Sequence, residues 1–240
     1  MNIVVPMAGL GSRFAEAGFT TPKPLIPVEG RPMYAWAVES LPLRHSTRLI
    51  FVLLRTMPSY QELREDIEER YATFDPLVLD VPELTRGQSE TVLRARPQID
   101  NATPLLIHNA DTAFAIAEDW GAKAIGEELD GALVVFKSDE SRWSYSRENE
   151  EGYVTEVKEK VVISPWATTG AYYFGRGSEF VALADAAIAG GETEKGEYYV
   201  GPLYNKIATR GGRIRNYVAD ELYCFGTPED LQATLAKLPA

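Results

Sequence analysis

The sequence predicts an α/β fold in which a mixed, mostly parallel sheet is flanked by helices. Strand-like and helix-like segments alternate along the chain, which is the pattern of such a sheet. Several strand-like segments are continuous apolar runs, as in RLIFVLL from Arg48 to Leu54, and such runs are typical of strands buried on both faces. The length of 240 residues suffices to bury the core of one large domain. We therefore expect a single domain over residues 1–240.

The first half of the chain, residues 1–137, carries the clearest signals. Ile3–Val5 is a β-branched run that ends at a proline, which favours a central strand. A proline at the first helical position predicts a helix over Pro32–Leu41, and Glu and Arg at helical spacings predict an exposed helix over Pro58–Arg70. The other predicted elements are strands at Arg48–Leu54, Leu77–Val81, Pro104–His108 and Ala132–Phe136, and helices at Ser89–Arg96 and Asp119–Glu128.

The second half, residues 138–240, begins with a change of character. Ser138–Gly152 is polar and charged, and we interpret it as a mobile excursion from the fold. Thr227 before Pro228 predicts the N-cap and first position of the last helix. The other predicted elements are strands at Tyr153–Ile163, Ala171–Phe174 and Arg213–Val218, and helices at Phe180–Ala189 and Tyr199–Thr209.

The composition excludes several classes of protein. Hydrophobic residues make up 45% and charged residues 25% of the chain, which is ordinary for a globular protein, and no apolar run approaches the ~20 residues that span a bilayer. The net charge of −11 argues against sequence-independent nucleic-acid binding, which needs a positively charged surface. The amino terminus shows no secretory signal, and the single Cys224 excludes an internal disulfide. We expect a cytoplasmic protein without nucleic-acid or membrane partners. The sequence leaves open whether the protein forms a homo-oligomer.

A glycine-rich loop follows the first strand. It runs Gly9-Leu10-Gly11-Ser12-Arg13, and Pro22-Lys23-Pro24 comes ten residues later. Glycines let the backbone approach a ligand and turn its N–H groups toward anionic oxygens, while an arginine fork and a lysine supply positive charge. The third glycine of a dinucleotide-binding loop and the Gly-Lys-Ser/Thr ending of a P-loop are both missing. The pattern predicts a binding site for a polyphosphate. The alternative is an ordinary glycine turn with a solvated arginine and lysine.

These two motifs together resemble the signature of the sugar-phosphate nucleotidyltransferases, also called nucleoside-diphosphate-sugar pyrophosphorylases, whose fold is GT-A-like. The resemblance continues through Asp111, residues 156–174 and the C-terminal third, so it covers most of the chain. The opening Pro6-Met7-Ala8-Gly9 replaces the commoner Leu-Ala-Gly-Gly and looks closest to members from bacterial capsule and lipopolysaccharide clusters. The resemblance implies that residues 1–137 form the nucleotide-binding half and residues 138–240 the acceptor-binding half.

On the nucleotide side, the segment from Gly87 to Thr91 occupies the place of the family's base-reading loop. Gly87 matches the family pattern and the following residues do not, which leaves the base undetermined. Gln88 is suited to hydrogen-bond a base edge; the alternative is a helix N-terminus with Ser89 as N-cap. The residues expected to bind the nucleotide are Ala8, Gly9, Leu10, Gly11, Ser12, Arg13, Lys23, Gly87, Gln88 and Asn109.

Asp111 is the candidate metal ligand. It follows a buried strand in Asn109-Ala110-Asp111, and the resemblance implies that its carboxylate holds Mg²⁺; the alternative is an Asx-turn. His108 lies within the apolar run, so we interpret it as a packed core residue. Cys224 stands where the family commonly has a second metal-binding aspartate, and a neutral thiol is a poor Mg²⁺ ligand. We favour a single protein carboxylate; Asp220 or Glu221 reaching in, or weak metal binding, are alternatives.

The acceptor side is expected near Val157-Lys158-Glu159-Lys160. The resemblance implies that Glu159 binds acceptor hydroxyls, that Lys160 binds the acceptor phosphate, and that Gly170 makes room for a ring. Alternating charge on an exposed strand is the other interpretation of the first segment. Glu197 also resembles a residue near the acceptor, and a structural role suits it equally.

The resulting hypothesis is a Mg²⁺-dependent nucleotidyltransferase. It joins a nucleoside monophosphate from a nucleoside triphosphate to a sugar 1-phosphate, or to a similar phosphorylated acceptor, and releases pyrophosphate. Arg13, Lys23 and Asp111 would be the catalytic residues. Two alternatives stay open: a glycosyltransferase of the same fold that uses a nucleotide-sugar, and a non-catalytic nucleotide- or sugar-binding module.

Overall fold

The structure, a computed structural model that describes residues 1–238, alternates strands and helices from its first residues. The strands are β1 (Asn2–Met7), β2 (Pro27–Val28), β3 (Arg31–Pro32), β4 (Arg48–Leu54), β5 (Leu77–Val81), β6 (Leu105–His108), β7 (Thr112–Ala115), β8 (Gly131–Lys137), β9 (Ser144–Glu148), β10 (Val154–Glu159), β11 (Trp166–Phe174), β12 (Ile214–Val218) and β13 (Glu221–Cys224). The helices are α1 (Ser12–Glu16), α2 (Met33–Glu39), α3 (Tyr60–Arg70), α4 (Gln88–Val92), α5 (Arg96–Ile99), α6 (Trp120–Gly126), α7 (Gly177–Ala189), α8 (Tyr204–Thr209) and α9 (Pro228–Leu235).

One large sheet forms the centre of the fold and confirms the predicted class. Its described strands follow the order β10-β9-β11-β6-β1-β4-β5, and β8 extends it from β11 to β12. The pairs β1–β4, β1–β6, β4–β5 and β8–β12 are parallel. Strand β11 runs antiparallel to β6, β8 and β9, and β10 runs antiparallel to β9. Only β10 and β11 therefore run against the common direction among the described strands of this sheet.

Strand β11 joins the two halves of the molecule. Its first residues pair with β9, at Trp166↔Ser146, and its last residues pair with β6, at Ala171↔His108. The register against β8 shifts between Thr168 and Tyr172, around Gly170 at φ +87°. This irregularity lies where β6 ends, so it opens the sheet next to the segment that carries Asn109 and Asp111.

The core accounts for the strand predictions in the first half. Ile3, Val4 and Val5 and nearly all of β4 are fully buried, as their apolar runs predict. A second, smaller cluster packs the glycine-rich loop region against the last helix. Its buried members are Phe14, Ile26, Val28, Met33, Ala113, Phe225 and Leu231.

The interpretation of Ser138–Gly152 as a mobile excursion is wrong. The segment contains β9, and Ser144, Tyr145 and Ser146 in it are buried. The sequence signal misled because β9 buries hydroxyl-bearing side chains, which satisfy their polar atoms by hydrogen bonds instead of presenting an apolar run. The predicted strand Tyr153–Ile163 is the shorter β10.

The last helix confirms its predicted start. The Thr227 side chain accepts the backbone N–H of Asp230, and the Asp230 carboxylate accepts the N–H of Thr227, which completes a capping box with Pro228 inside it. Among residues 1–238, the helices are all too short or too polar to cross a bilayer.

Candidate active site

A cavity of about 1190 Å³ opens at the carboxyl ends of β1 and β6. Its wall contains all but one of the site residues predicted from the sequence; Ser12 does not line it. The nucleotide-side and acceptor-side candidates, which are up to 189 positions apart between Ala8 and Glu197, therefore face one space.

The glycine-rich loop caps α1 and presents its arginine to solvent. Gly11 is the N-cap of α1 at φ +63°, and a Cβ atom there would lie 3.0 Å from the Cβ of Lys23. This position therefore requires glycine both for its backbone conformation and for the approach of Lys23. The Arg13 side chain is exposed and forms no hydrogen bond or ion pair within the described chain. Its guanidinium is available to a ligand in the cavity.

Lys23 and Asp111 meet across the floor of the cavity. The Lys23 Nζ atom donates to Oδ2 of Asp111 at 2.5 Å and to the carbonyl oxygen of Gly226 at 3.1 Å. Burial acts to raise the pKa of Asp111, but the charge and hydrogen bond of the Lys23 ammonium outweigh it and hold that pKa below its usual range. Asp111 is thus an ionised carboxylate at neutral pH.

His108 is a core residue, as predicted. It is fully buried, its ring meets the Phe114 ring edge-on with centroids 5.6 Å apart, and its Nε2 atom donates to the carbonyl oxygen of Thr112 at 2.7 Å. Burial lowers the pKa of His108 to about 4, so the imidazole is neutral at neutral pH. The hydrogen bond spans the turn that carries Asn109 and Asp111.

Gln88 and Asn109 form one side of the cavity. The Gln88 Nε2 atom donates to Oδ1 of Asn109 at 2.6 Å. A Cβ atom on Gly170 would lie 2.2 Å from Nδ2 of Asn109, so the glycine makes room for this amide. The alternative of Ser89 as N-cap is wrong, because the N-cap of α4 is Gly87 and Ser89 is buried inside the helix.

The acceptor-side candidates are held by hydrogen bonds. The Ser144 hydroxyl donates to the Glu159 carboxylate, whose side chain is only 6% exposed, and Nζ of Lys160 donates to the hydroxyl oxygen of Tyr199 at 2.9 Å. Burial raises the pKa of Glu159 above its usual value, and the hydrogen bond to Tyr199 raises that of Lys160. Because Glu159 is buried, it is not part of an exposed strand of alternating charge, which was the other interpretation of this segment. Glu197 is exposed at the rim.

Cys224 lines the cavity as a thiol. Burial raises its pKa to about 12, so it offers no thiolate to a metal. The alternatives Asp220 and Glu221 do not reach in: Asp220 accepts the backbone N–H of Ala117 at 2.7 Å, and Glu221 accepts the hydroxyl of Tyr223. In the described part of the chain, no three His, Cys, Asp or Glu side chains cluster as a metal centre. Of the three carboxylates considered from the sequence, Asp111 lines the cavity and Asp220 and Glu221 do not.

Sequence reasoning missed three charged residues in the cavity wall, which are Arg86, Arg142 and Asp230. Arg142, between β8 and β9, donates from Nη1 to both carboxylate oxygens of Asp230, at 2.7 and 2.8 Å. The available signal was the alternation of aromatic residues with serines at Trp143 and Tyr145, which is typical of a strand and would have placed Arg142 at its start.

The fold and site define an α/β nucleotide-binding protein, with a glycine-rich loop after the first strand and a lysine–aspartate pair at the strand ends. The chain belongs to the family of the MobA-like NTP transferase domain, whose model matches residues 3–190. The resemblance to nucleotidyltransferases is confirmed at this level. The capsule and lipopolysaccharide subtype stays a prediction.

Similar proteins agree with the family. Bifunctional protein GlmU of Ralstonia nicotianae is 28% identical over 67% of this chain and 33% of its own length. Bifunctional protein GlmU of Cupriavidus pinatubonensis is 26% identical over 88% of this chain and 45% of its own length. The chain thus spans between a third and a half of the length of these curated relatives.

Solved structures extend the likeness over the whole fold. A nucleoside-diphosphate-sugar pyrophosphorylase from Vibrio cholerae RC9 superposes with a TM-score of 0.83 at 27% identity, covering 98% of this chain and 99% of that one. The inositol-1-phosphate CTP transferase from T. maritima superposes with a TM-score of 0.74 at 15% identity, covering 100% of this chain and 97% of that one. The second likeness concerns the fold alone.

Proposed function

We propose that this protein is a nucleotidyltransferase of the EC 2.7.7 type that acts on a nucleoside triphosphate and a sugar 1-phosphate or similar phosphorylated acceptor. A phosphate oxygen of the acceptor attacks the α-phosphorus and forms the new P–O bond. The bond from the α-phosphorus to the α–β bridging oxygen breaks, and pyrophosphate leaves with the electron pair. Family membership and the pyrophosphorylase-like structure support this reaction.

The contact between Lys23 and Asp111 is the observation that carries the proposal. It brings a cation from the glycine-rich loop region and a carboxylate from the end of β6 to one point, 2.5 Å apart. Phosphoryl transfer needs little covalent help, because positioning and charge neutralisation provide most of the catalysis. Lys23 would stabilise charge around the α-phosphate, while Arg13 and the backbone N–H groups of residues 9–12 would hold the remaining phosphates.

Asp111 would hold Mg²⁺, and its surroundings fit that ion. Mg²⁺ is usually bound through one or two carboxylates together with substrate phosphates and water. Asp111 supplies an ionised carboxylate in the cavity wall, whereas the protonated Cys224 thiol does not fit a hard cation. The ion, when bound, would neutralise charge on the phosphates.

The acceptor would lie against residues 142–170. The buried Glu159 would accept hydrogen bonds from acceptor hydroxyls, and Lys160 would neutralise acceptor charge. Gly170 and Glu197 would line the same side of the cavity. An NTP-dependent reaction and a lone cysteine fit a cytoplasmic enzyme, and the Pro6–Gly9 opening supports a role in capsule or lipopolysaccharide precursor synthesis.

A pyrophosphate-release screen tests the reaction class. Each of the four nucleoside triphosphates is combined with a panel of sugar 1-phosphates and other phosphorylated small molecules, with and without Mg²⁺. We expect one pair to release pyrophosphate in equal amount to the coupled product. Sugar transfer from a nucleotide-sugar without pyrophosphate would support the glycosyltransferase instead. Binding without turnover across the panel would support a non-catalytic module.

A further inference from the structure

The guanidinium of Arg142 has one nitrogen without a partner. Its Nε atom donates to Glu140 at 2.7 Å and its Nη1 atom donates to Asp230, while Nη2 forms no hydrogen bond within residues 1–238. The guanidinium carbon also lies 4.3 Å from the centroid of the Trp143 ring. Three contacts therefore fix the orientation of a side chain that lines the cavity and leave Nη2 to an outside acceptor.

Arg142 is close to the expected centre of the reaction. Its partner Asp230 also accepts the N–H of Thr227 at 3.1 Å, and the neighbouring Gly226 accepts Nζ of Lys23. Lys23 thus contacts the residue before the N-cap of α9, and Arg142 contacts the first turn of that helix. A group bound between them would be near both cations.

Arg142 also borders the acceptor side of the cavity. Ser144, two residues further along, donates to Glu159, and the carbonyl oxygen of Trp143 accepts the N–H of Lys160 at 3.0 Å. Arg142 lies in the turn that leads into β9, and both Arg142 and Ser144 line the cavity. Arg142 and Lys160 are therefore two cations from adjacent segments that both line the cavity.

The carboxylates of Glu140 and Asp230 leave the positive charge of Arg142 able to attract a further anion. Glu140 is 59% exposed, and an exposed ion pair is weak in water. The Asp230 carboxylate is shared with the capping box of α9. The planar fork of an arginine matches phosphate geometry, and a phosphomonoester carries a charge of about −1.5 to −2 at neutral pH. Two cations, one of them with a free donor, suit such a group better than a neutral hydroxyl.

We propose that Arg142 binds the phosphate of the acceptor through Nη2, together with Lys160, and so restricts the acceptor to phosphomonoesters. This inference deepens the proposed function and depends on it for the kinetic readout. Loss of one charge-assisted hydrogen bond corresponds to a rise of about 10- to 100-fold in the KM for the acceptor. The KM for the nucleoside triphosphate should change little.

The test compares Arg142→Ala and Arg142→Gln with the wild-type protein. Arg147→Ala is the matched control, because Arg147 is an exposed arginine on β9 that pairs with Glu156 outside the cavity. Acceptor and triphosphate KM values are measured separately, and the affinity for inorganic phosphate is measured by calorimetry without nucleotide. We expect both Arg142 variants to raise acceptor KM and to weaken phosphate binding at least about tenfold, and the control to match wild type.

The outcomes separate this inference from the reaction itself. Wild-type acceptor KM and phosphate affinity in a folded Arg142→Gln protein would overturn the role of Arg142 while leaving the reaction intact. An equal rise in both KM values would also overturn it. Arg142-dependent phosphate binding without pyrophosphate release on any substrate pair would support the phosphate site and contradict the transferase. Thermal unfolding of each variant checks that the fold is kept.

Discussion

The two sides of the cavity are built in different ways. The nucleotide side, which comprises the loop Gly9–Arg13 with Lys23 and Asp111, lies at the ends of parallel strands, and Arg13 on it is exposed and unpaired within residues 1–238. The acceptor side comprises Arg142 in the turn before β9, Ser144 on β9, Glu159 at the end of β10 and Lys160 directly after it. Its side chains are already paired with Asp230, with one another or with Tyr199.

This difference separates a general function from a specific one. An exposed arginine and loop N–H groups suit any triphosphate, because phosphates are common to all nucleotides. Mutually bonded side chains, of which Ser144 and Glu159 are also buried, are preorganised, and a ligand that cannot replace their hydrogen bonds leaves polar atoms unsatisfied. We therefore expect substitutions on the nucleotide side to lower turnover for every substrate, and those on the acceptor side to change which acceptor is used.

Lys23→Ala should have the largest effect. Removing a cation that stabilises charge in the transition state should lower kcat by about 10²-fold or more, with smaller changes in both KM values. Steady-state pyrophosphate release measures this loss. Lys123→Ala, which removes an exposed lysine paired with Glu118 outside the cavity, is the control. Normal turnover in the Lys23 variant would remove this residue from the mechanism.

Asp111→Asn should remove the response to Mg²⁺. The amide is a weaker ligand and leaves the Lys23 ammonium without its ion partner, so we expect kcat to fall by about 10²-fold and the residual rate to become independent of added Mg²⁺. A magnesium titration of the rate checks this expectation. An unchanged titration curve would contradict the metal role of Asp111.

Gly170→Ala tests the border between the two sides. The new Cβ atom would displace the Asn109 amide and so break its hydrogen bond to Gln88, which should raise the KM for the triphosphate. Gly211→Ala is the matched control, since Gly211 has a similar φ of +81° but open space around its Cβ position. In both variants an alanine must adopt the left-handed conformation, which lowers the free energy of unfolding by about 1–2 kcal/mol. Thermal unfolding measures this loss. Equal KM values in the two variants would disprove the positioning role of Asn109.

The smallest expected effect is a gain in stability. The pKa of Glu159 is raised in the folded protein above the usual value of 4.5, so the folded state keeps a proton that the unfolded chain has released. The stability from this group is full below pH 4.5 and is lost as pH rises through the folded pKa. The glutamine side chain of the Glu159→Gln protein cannot ionise, so this variant does not lose that stability as the pH rises.

At pH 7 we expect the Glu159→Gln protein to melt above wild type, and the gap to close as pH falls toward 4.5. Its acceptor KM should rise at the same time. Glu156→Gln, on the same strand with a carboxylate 33% exposed, is the control and should show no gain. A lower melting temperature at pH 7 would show that the ionised carboxylate stabilises the fold.

The nucleotide side and the acceptor side also differ in how well the sequence predicts them. The first and fourth strands, the Thr227 cap and the buried His108 follow from local apolar runs and capping chemistry, and the structure confirms them. The loop Gly9–Arg13 and Lys23 were found because they are close together in a recognisable motif, and Asp111 was found because it directly follows a buried apolar strand. Local signals therefore suffice where the structure itself is local.

The acceptor side depends on contacts that no local pattern encodes. Strand β9 is polar and was predicted to be mobile, yet Ser144 and Tyr145 are buried by pairing with β10 and β11. Arg142 gains its orientation from Asp230, which is 88 positions away. Such long-range pairing is set by the tertiary fold, so the sequence could suggest Glu159 and Lys160 but not the residues that hold them.

An isotope experiment tests the proposed transfer most directly. The acceptor phosphate is labelled with ¹⁸O, the reaction is run with the triphosphate found in the screen, and both products are analysed by mass spectrometry. We expect all of the label in the coupled product and none in the pyrophosphate, because the acceptor oxygen attacks the α-phosphorus. Label in the released phosphates, or a coupled product formed without pyrophosphate, would contradict the account.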